Sequence, residues 1–416
     1  MNVLIVVVTL FVLTAFAAQS GYEGNKVYRL KPTGKKQLEM LANLRNEKNL
    51  DFWTPLRRDE HPVDVMVNFK EEKWLTDLLK KNNITYDTLI DDVDSAVLEE
   101  HERQIFFPPT KQGRISFIKY HRHEEINAYL SRLAKDYPNL VSIQNIGKSY
   151  EGRDLDVIQI STNSSAGKPV IFIDAGIHAR EWIAPAVALY AINQLVENKD
   201  NANLLEKVDW NILPVLNPDG YEYTHSTLLQ RFWRKTRSQG NKCIGADANR
   251  NFDFHWAEIG SSSDECDDTY HGKHAFSEIE AIALSNYISQ NKNRIKLYLT
   301  LHSFGQLILY PWGYTSELPR DNEELLSLGE AVAESIKNVS GTNYIVGSST
   351  NILYAAAGGS DDWAKGVAGV ELSYTIELPG GGLLGFDLPT WKILGVAKET
   401  WEGLKTFCKH ISEKFN

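Results

Sequence analysis

The apolar positions of this chain fall into three patterns along its length. Positions 3–8 and 10–13 form one nearly unbroken apolar run that ends in the small residues Ala15, Ala17 and Ala18. That is the shape of a secretory signal with Ala15-Phe16-Ala17 as its cleavage site, although it lacks the usual positive start; the run is too short for a comfortable membrane span. Residues 1–17 are therefore predicted to be a signal peptide, and nothing later reads as a membrane segment. The second pattern mixes short alternating runs with helical periods. It predicts strands at 26–30, 63–67 and 85–90, helices at 35–45, 71–81 and 91–104, and a short strand near 51–53. Together these make a small α+β unit of the β-α-β-β-α-β, ferredoxin-like type. It ends in Phe106-Phe107-Pro108-Pro109-Thr110-Lys111-Gln112-Gly113-Arg114, where prolines, a glycine and basic residues interrupt all periodicity. This reads as a linker open to a trypsin-like protease, with Arg103, Lys111 and Arg114 as the candidate bonds.

From 115 to 416 the third pattern alternates strand-like with helical runs. Strands are predicted at 154–160, 170–174, 210–216, 297–301 and 374–378, and helices at 124–137, 183–197, 277–290, 323–337 and 390–411. Near-continuous apolar strands such as Pro169-Val170-Ile171-Phe172-Ile173 suit a mostly parallel sheet buried by helices on both faces, the α/β arrangement.

Composition narrows the function. Lys plus Arg number 44 against 54 for Asp plus Glu, a net charge of −10, so no basic excess exists to neutralise a phosphate backbone and nucleic acid is not an expected partner. Export implies an oxidising compartment. Among the three cysteines the expected pair is Cys243 with Cys266, with Cys408 left over. Sequons at Asn83, Asn163 and Asn338 are compatible with secretion.

In such sheets ligands collect at the carboxyl ends of the strands. Two of those ends carry histidine: one strand runs into Ala175-Gly176-Ile177-His178-Ala179-Arg180-Glu181-Trp182, and another into His302-Ser303. His-x-x-Glu can aim an imidazole and a carboxylate at one point, which suits zinc. The spacing alone is worth little, because it occurs four times, at His121/Glu124, His178/Glu181, His255/Glu258 and His410/Glu413. Position separates His178/Glu181, which an apolar strand delivers to the sheet edge, from His121 and His410, which are expected beside or within helices that look exposed. His302 supplies a third ligand and leaves a fourth position open for water or substrate. A further strand end, Tyr374-Thr375-Ile376-Glu377-Leu378, offers a partly desolvated carboxylate as general base. Arg180, Arg234 and Arg250 lie on nearby turn-rich segments; converging on one pocket, they would imply a substrate with a free carboxylate.

With these residues assembled, the sequence resembles the zinc metallocarboxypeptidases of the pancreatic A/B type. The matching stretches are His178-Ala179-Arg180-Glu181-Trp182, Asn217-Pro218-Asp219-Gly220-Tyr221, Trp233-Arg234-Lys235-Thr236-Arg237-Ser238, Asp247-Ala248-Asn249-Arg250-Asn251, Leu301-His302-Ser303, Ala357-Gly358-Gly359-Ser360-Asp361-Asp362-Trp363 and Thr375-Ile376-Glu377-Leu378. The resemblance implies a carboxypeptidase-like domain over 115–416, one zinc ion on His178, Glu181 and His302, and Glu377 as general base and acid. It implies that Arg234 holds the oxyanion and that Asn249, Arg250 and Tyr354 clamp the substrate's terminal carboxylate. Arg180 would bind further along the peptide, with Ser303 and Phe304 lining subsites, and Asp247 would orient His178. Cys243 and Cys266 fall where the family has its disulfide. The segment 18–114 is similar to an activation pro-domain and linker. The resemblance thus implies a secreted zymogen, monomeric, acting on the free C-terminus of peptides in the extracellular space or digestive lumen, and open to protein inhibitors.

Asp361 stands where an aspartate marks the B-type preference for C-terminal Lys or Arg and an apolar residue the A-type; the small Ser349 leaves room for a long side chain. The competing reading makes Asp361 only the cap of a helix opening at Asp362. The chain departs from the family after Leu378, where Pro379-Gly380-Gly381-Gly382 replaces the usual Arg-Asp. The rival classes are a secreted, inactive carboxypeptidase-like binding module, which would have lost a ligand or Glu377, and a serine hydrolase, for which no G-x-S-x-G elbow is present.

Overall fold

The structure, a computed structural model, describes residues 22–44, 50–54, 61–106, 113–162, 167–380 and 385–415. The predicted signal peptide, Lys111 within the linker, the sequon at Asn163, and Gly381 and Gly382 lie outside the described residues.

The first unit runs β1 (Lys26–Lys31), α1 (Lys35–Leu44), β2 (Leu50–Phe52), β3 (Val63–Val67), α2 (Glu72–Lys81), β4 (Thr85–Ile90) and α3 (Val93–Phe106). Its sheet is antiparallel in the order β2-β3-β1-β4, the expected ferredoxin-like arrangement with α3 added. Strand alternation gives this sheet two apolar faces. Tyr28 and Leu30 pack with Leu41, Leu44, Leu75 and Leu79 of α1 and α2. Val27, on the opposite face, joins Ile90, Val93 and Val97 against Leu228, Phe232 and Phe386 of the larger unit.

The larger unit continues α4 (His123–Asp136), β5 (Val141–Lys148), β6 (Asp154–Ile160), β7 (Val170–Ala175), α5 (Ile183–Val196), β8 (Asp209–Leu213), α6 (Pro218–Ser226), α7 (Ile279–Asn291), β9 (Ile295–Ser303), β10 (Leu307–Tyr310), α8 (Asn322–Ser340), β11 (Ile345–Ser348), α9 (Ser349–Ile352), α10 (Ser360–Gly366), β12 (Leu372–Leu378) and α11 (Thr390–Lys414). Eight strands order as β11-β10-β12-β9-β7-β8-β6-β5. The four central strands, β12, β9, β7 and β8, are parallel, and antiparallel pairings begin at β10 on one side and β6 on the other. Ile171, Ile173, Leu297, Leu299, Leu301, Tyr374 and Ile376 point to the layer of α4, α5, α8 and α11. Val170, Phe172 and Tyr298 point the other way, to Ala281 and Leu284 of α7 and Trp363 and Ala364 of α10.

Three strands, β5, β10 and β11, are additions to the prediction. In β5, Ser142, Gln144 and Asn145 blur the alternation because an edge strand buries little, and β10 and β11 have four residues each. β8 ends at Leu213 rather than at 216 because Pro214 has no N–H to donate. The two predicted cysteines are bonded, with Cα atoms 5.1 Å apart, and Cys408 is free and buried. Asn83 and Asn338 are exposed. His121 corrects the expectation of an exposed helix: it is buried ahead of α4, its Nε2 against Ser116 O at 2.9 Å and its Nδ1 3.3 Å from Glu125.

Within α7, Glu280 is fully buried; its Oε1 accepts a hydrogen bond from Tyr150 N at 2.9 Å, while Oε2 has no partner among the described residues. Burial pushes its carboxyl from 4.5 up to about 7, with the Glu278 and Asp219 charges adding to the effect. A folded-state value above the unfolded one means that its contribution to stability is complete below the unfolded value and is lost as pH rises through the folded one. Glu280→Gln keeps an acceptor for Tyr150 and no longer titrates, so thermal denaturation should find it similar to the parent at pH 4.5 and more stable at pH 8. A constant difference between the two pH values would contradict this.

Candidate active site

β7 carries Asp174 and Ala175 to the carboxyl edge of the sheet, where Gly176 turns the chain at φ +67°. A Cβ on Gly176 would meet Pro185 at 3.1 Å, so both the turn and the approach of α5 favour glycine. The turn brings His178 and Glu181 over the end of β9, where His302 stands. His178 Nδ1 lies 2.8 Å from Glu181 Oε1, and His302 Nδ1 lies 3.1 Å from both His178 Nδ1 and Glu181 Oε2. All three residues are buried. His178 Nε2 faces Asp247 Oδ1 at 3.1 Å, so the proton on that nitrogen leaves Nδ1 with its lone pair turned to the centre. Two imidazoles and a carboxylate drawn to one point form a donor set able to hold a dication, and His2Glu fits zinc with a position left for water.

Glu377 pairs in register with His302 across β12 and β9, on the same face, and is half-buried. Burial pushes its carboxyl up to about 7; His302 and nearby arginines oppose the rise, and Glu181 adds to it. Glu181 is itself held far below the ordinary carboxylate range: burial acts against the charge, and His178 and His302 outweigh burial. Arg234 donates from Nε and Nη2 to Asp247 Oδ2 at 3.2 and 2.9 Å and reaches to within 3.9 Å of Glu181. Although burial disfavours its charge, Asp247 and Glu181 hold Arg234 above its ordinary value.

Asn249 and Arg250 sit on a tight turn after Asp247, whose Oδ1 accepts from Asn249 N at 2.9 Å. Asn249 Oδ1 in turn accepts from Ser360 N at 2.9 Å. Gly358 at φ +77° packs so closely behind the turn that a Cβ would lie 2.5 Å from Arg250 O. Asp361 falls in the first turn of α10, with Gly359 at the N-cap, so the capping alternative is not what its carboxylate does. Only 8% exposed, Asp361 accepts from Thr375 Oγ1 at Oδ2, 3.1 Å, and lines a recess with Leu309, Gly313, Ser349 and Thr375. This recess belongs to one cavity of about 1070 Å³ that also holds His178, Arg234, Arg250, Tyr354 and Glu377.

The first unit lies over this cavity. Arg180, expected to meet an extended peptide, is taken by Asp51 of β2 at 3.0 and 3.2 Å and by Asp268 at 3.4 Å, and its guanidinium sits over Phe386 at 4.6 Å. Trp53 packs on Phe232 and Phe386, with ring centroids 4.8 and 6.0 Å apart. Glu100 of α3 forks onto Arg231, which also donates to the carbonyls of Arg180 and Phe386. Tyr354 packs against the apolar core of this first unit and lines the same cavity as Asn249 and Arg250. Ser303 contributes its N–H to Glu181 Oε2 at 3.2 Å, and Phe304 stacks edge-on against Phe386 at 4.9 Å. The sequence pattern did not single out Asp51, Glu100, Arg231 or Phe386. The only signals were local, a carboxylate in a short predicted strand and Arg231 three residues before Arg234.

Residues 126–403 match the zinc carboxypeptidase family and residues 28–100 the carboxypeptidase activation peptide family. The chain is 46% identical over 306 residues to carboxypeptidase B of Astacus astacus, covering 73% of this chain and 100% of the relative. Among solved structures it is similar to carboxypeptidase A from Helicoverpa armigera, with a TM-score of 0.89 and 36% identity over 95% of this chain and 99% of that one. It is also similar to bovine thrombin-activatable fibrinolysis inhibitor in complex with tick carboxypeptidase inhibitor, with a TM-score of 0.68 and 36% identity over 71% of this chain and 99% of that one. A zinc-type donor set at the sheet edge, an activation unit seated over it and these matches agree, and the chain belongs to the zinc carboxypeptidase family as a zymogen with its activation peptide.

Proposed function

We propose that this zymogen yields a carboxypeptidase of B-type preference, releasing C-terminal Lys or Arg. One observation carries the preference: Asp361 places a nearly buried carboxylate in a recess lined by Leu309 and by the small Gly313, Ser349 and Thr375. A buried anion without a cation is costly, and a lysine ammonium or arginine guanidinium entering the recess offsets that cost. A recess for apolar side chains would leave the charge unpaired.

Each site residue then has a role. His178, Glu181 and His302 hold the zinc ion, and Asp247 orients His178. Zinc bound there supplies Lewis acidity to the scissile carbonyl and to the attacking water. Glu377 takes the proton of that water and delivers it to the leaving amine. Arg234, pinned by Asp247, donates to the oxyanion that develops on the carbonyl. Asn249 and Arg250 receive the terminal carboxylate, and Tyr354 joins them once it is released from the activation unit. An internal peptide bond presents no such charge, and this is the physical basis of exopeptidase selectivity. Arg180, freed from Asp51, meets the peptide further along, beside Ser303 and Phe304.

Residues 1–17 act as the signal peptide, 18–114 as activation unit and linker, and 115–416 as the enzyme, secreted and monomeric. Among the described residues no helix is long and apolar enough to cross a membrane. A trypsin-like protease removes the activation unit; of the candidate bonds, Arg103 lies within α3 and Arg114 is exposed. The mature cleft is open to protein inhibitors, as the tick inhibitor complex of a relative suggests.

Two experiments test these roles. Glu377→Gln should retain one zinc per chain by metal analysis while kcat falls by about 10³-fold, the scale of a lost general base; unchanged turnover would remove Glu377 from that role. Trypsin-treated enzyme assayed on peptides that differ only in the last residue should release Arg and Lys faster than Leu, Phe or Glu, and Asp361→Ala should abolish this order. Faster release of Leu or Phe by the parent would overturn the B-type reading.

A further inference from the structure

Two aspartates stand in the first turn of α10, and the roles above use only Asp361. Successive side chains on a helix point about 100° apart, so a turn that aims Asp361 into the recess sends Asp362 elsewhere. Asp362 is 1% exposed and faces the segment that follows β10. Both of its oxygens are taken there by backbone donors: Gly313 N donates to Oδ1 at 2.8 Å and to Oδ2 at 2.9 Å, and Tyr314 N donates to Oδ2 at 3.0 Å. A carboxyl engaged in this way is not offered to a substrate cation, which leaves Asp361 as the anion of the recess.

Gly313 is itself a wall of the recess and, having no side chain, presents bare backbone to it. Its carbonyl accepts from Ala356 N at 2.7 Å and from Thr350 Oγ1, on the segment that carries Tyr354, so Asp362 holds the remaining, N–H side of this wall. The helix turn is fixed from below by β12, where Ser373 Oγ donates to Asp361 O at 2.9 Å and Thr375 Oγ1 to Asp361 Oδ2 at 3.1 Å. The anion and the wall of the recess thus meet in one residue: the backbone of Asp362 continues the turn that carries Asp361, and its carboxyl holds Gly313. We propose that Asp362 is a positioning residue for specificity, which sets the spacing between Asp361 and Gly313 and with it the width of the recess that receives the C-terminal side chain. The inference rests on the reading of Asp361 as the selector of basic side chains. Without the Asp362 carboxyl, Gly313 N and Tyr314 N lose their acceptor, and the segment shifts until water or another oxygen replaces it. Asp361 then keeps its charge, but the wall beside it no longer holds a long side chain against that charge.

Asp362→Asn keeps the shape of the side chain but turns an amide donor against the two N–H groups; Asp362→Glu keeps the carboxyl but carries it one methylene too far. In the trypsin-activated full chain each should raise KM for an Arg-terminated peptide about tenfold and leave kcat within about twofold. A peptide ending in alanine, whose methyl group does not extend along the recess, should be unaffected. Either variant serves if the other does not fold. Equal losses on both peptides, or no change in either, would overturn the proposal. So would an Asp362→Glu enzyme that matches the parent while Asp362→Asn is impaired, because charge rather than position would then be what Asp362 supplies. Asp361→Ala is run in parallel. If it destroys Arg preference while the Asp362 variants change nothing, the positioning role alone fails; if it leaves Arg preference intact, the B-type reading fails and takes this inference with it.

Discussion

Across β9 and β12, parallel and in register, Thr300 faces Thr375 and His302 faces Glu377. A strand side chain can point only up or down, and on these two strands the downward set is apolar: Leu297, Leu299 and Leu301 on one, Tyr374, Ile376 and Leu378 on the other. That burial fixes the register, because a slip of one residue would drive His302 and Glu377 into the helix layer and turn the leucines to the cleft. The proposed base and one ligand are thus held level by the core, and the turn at Gly176 only has to add His178 and Glu181. The chemistry depends on the same apolar packing that stabilises the sheet.

The activation unit uses the cleft's own charges. Asp51 and Glu100 are carboxylates presented to Arg180 and Arg231, and Trp53 fills the apolar space between Phe232 and Phe386. The unit contributes nothing to the donor set of His178, Glu181 and His302, so in this structure the ligands are already drawn together while the approach is covered. On the proposed function, the covered approach and the engagement of Arg180 by Asp51 hold the zymogen back while the donor set is already in place.

Much of this was legible in the chain. Strands buried on both faces declared themselves as apolar runs, and β3, β4 and β6 begin and end where the pattern put them. The candidate metal ligands were readable because they stand just past the ends of such runs, which distinguished His178/Glu181 from three other copies of the same spacing. What was not legible depended on contacts between distant segments. β5 is an edge strand with little alternation, and β10 and β11 are too short to show a period. His121 looked exposed because nothing local reveals that residues 113–122 fold back on the domain. Asp361 could be read as a cap until α10 was seen to start at Ser360. The covering contacts of Asp51 and Glu100 join residues more than a hundred positions apart and leave no mark in either segment alone.

The convergence of three side chains on one cation underlies all of the chemistry, and diffraction data collected on either side of the zinc absorption edge from crystals of the full chain test it directly. An anomalous peak bonded to His178 Nδ1, a Glu181 carboxylate oxygen and His302 Nδ1 is the expected result. A zinc-loaded crystal with no peak there, or with the ion bound by other residues while His302 turns away, would contradict the assignment.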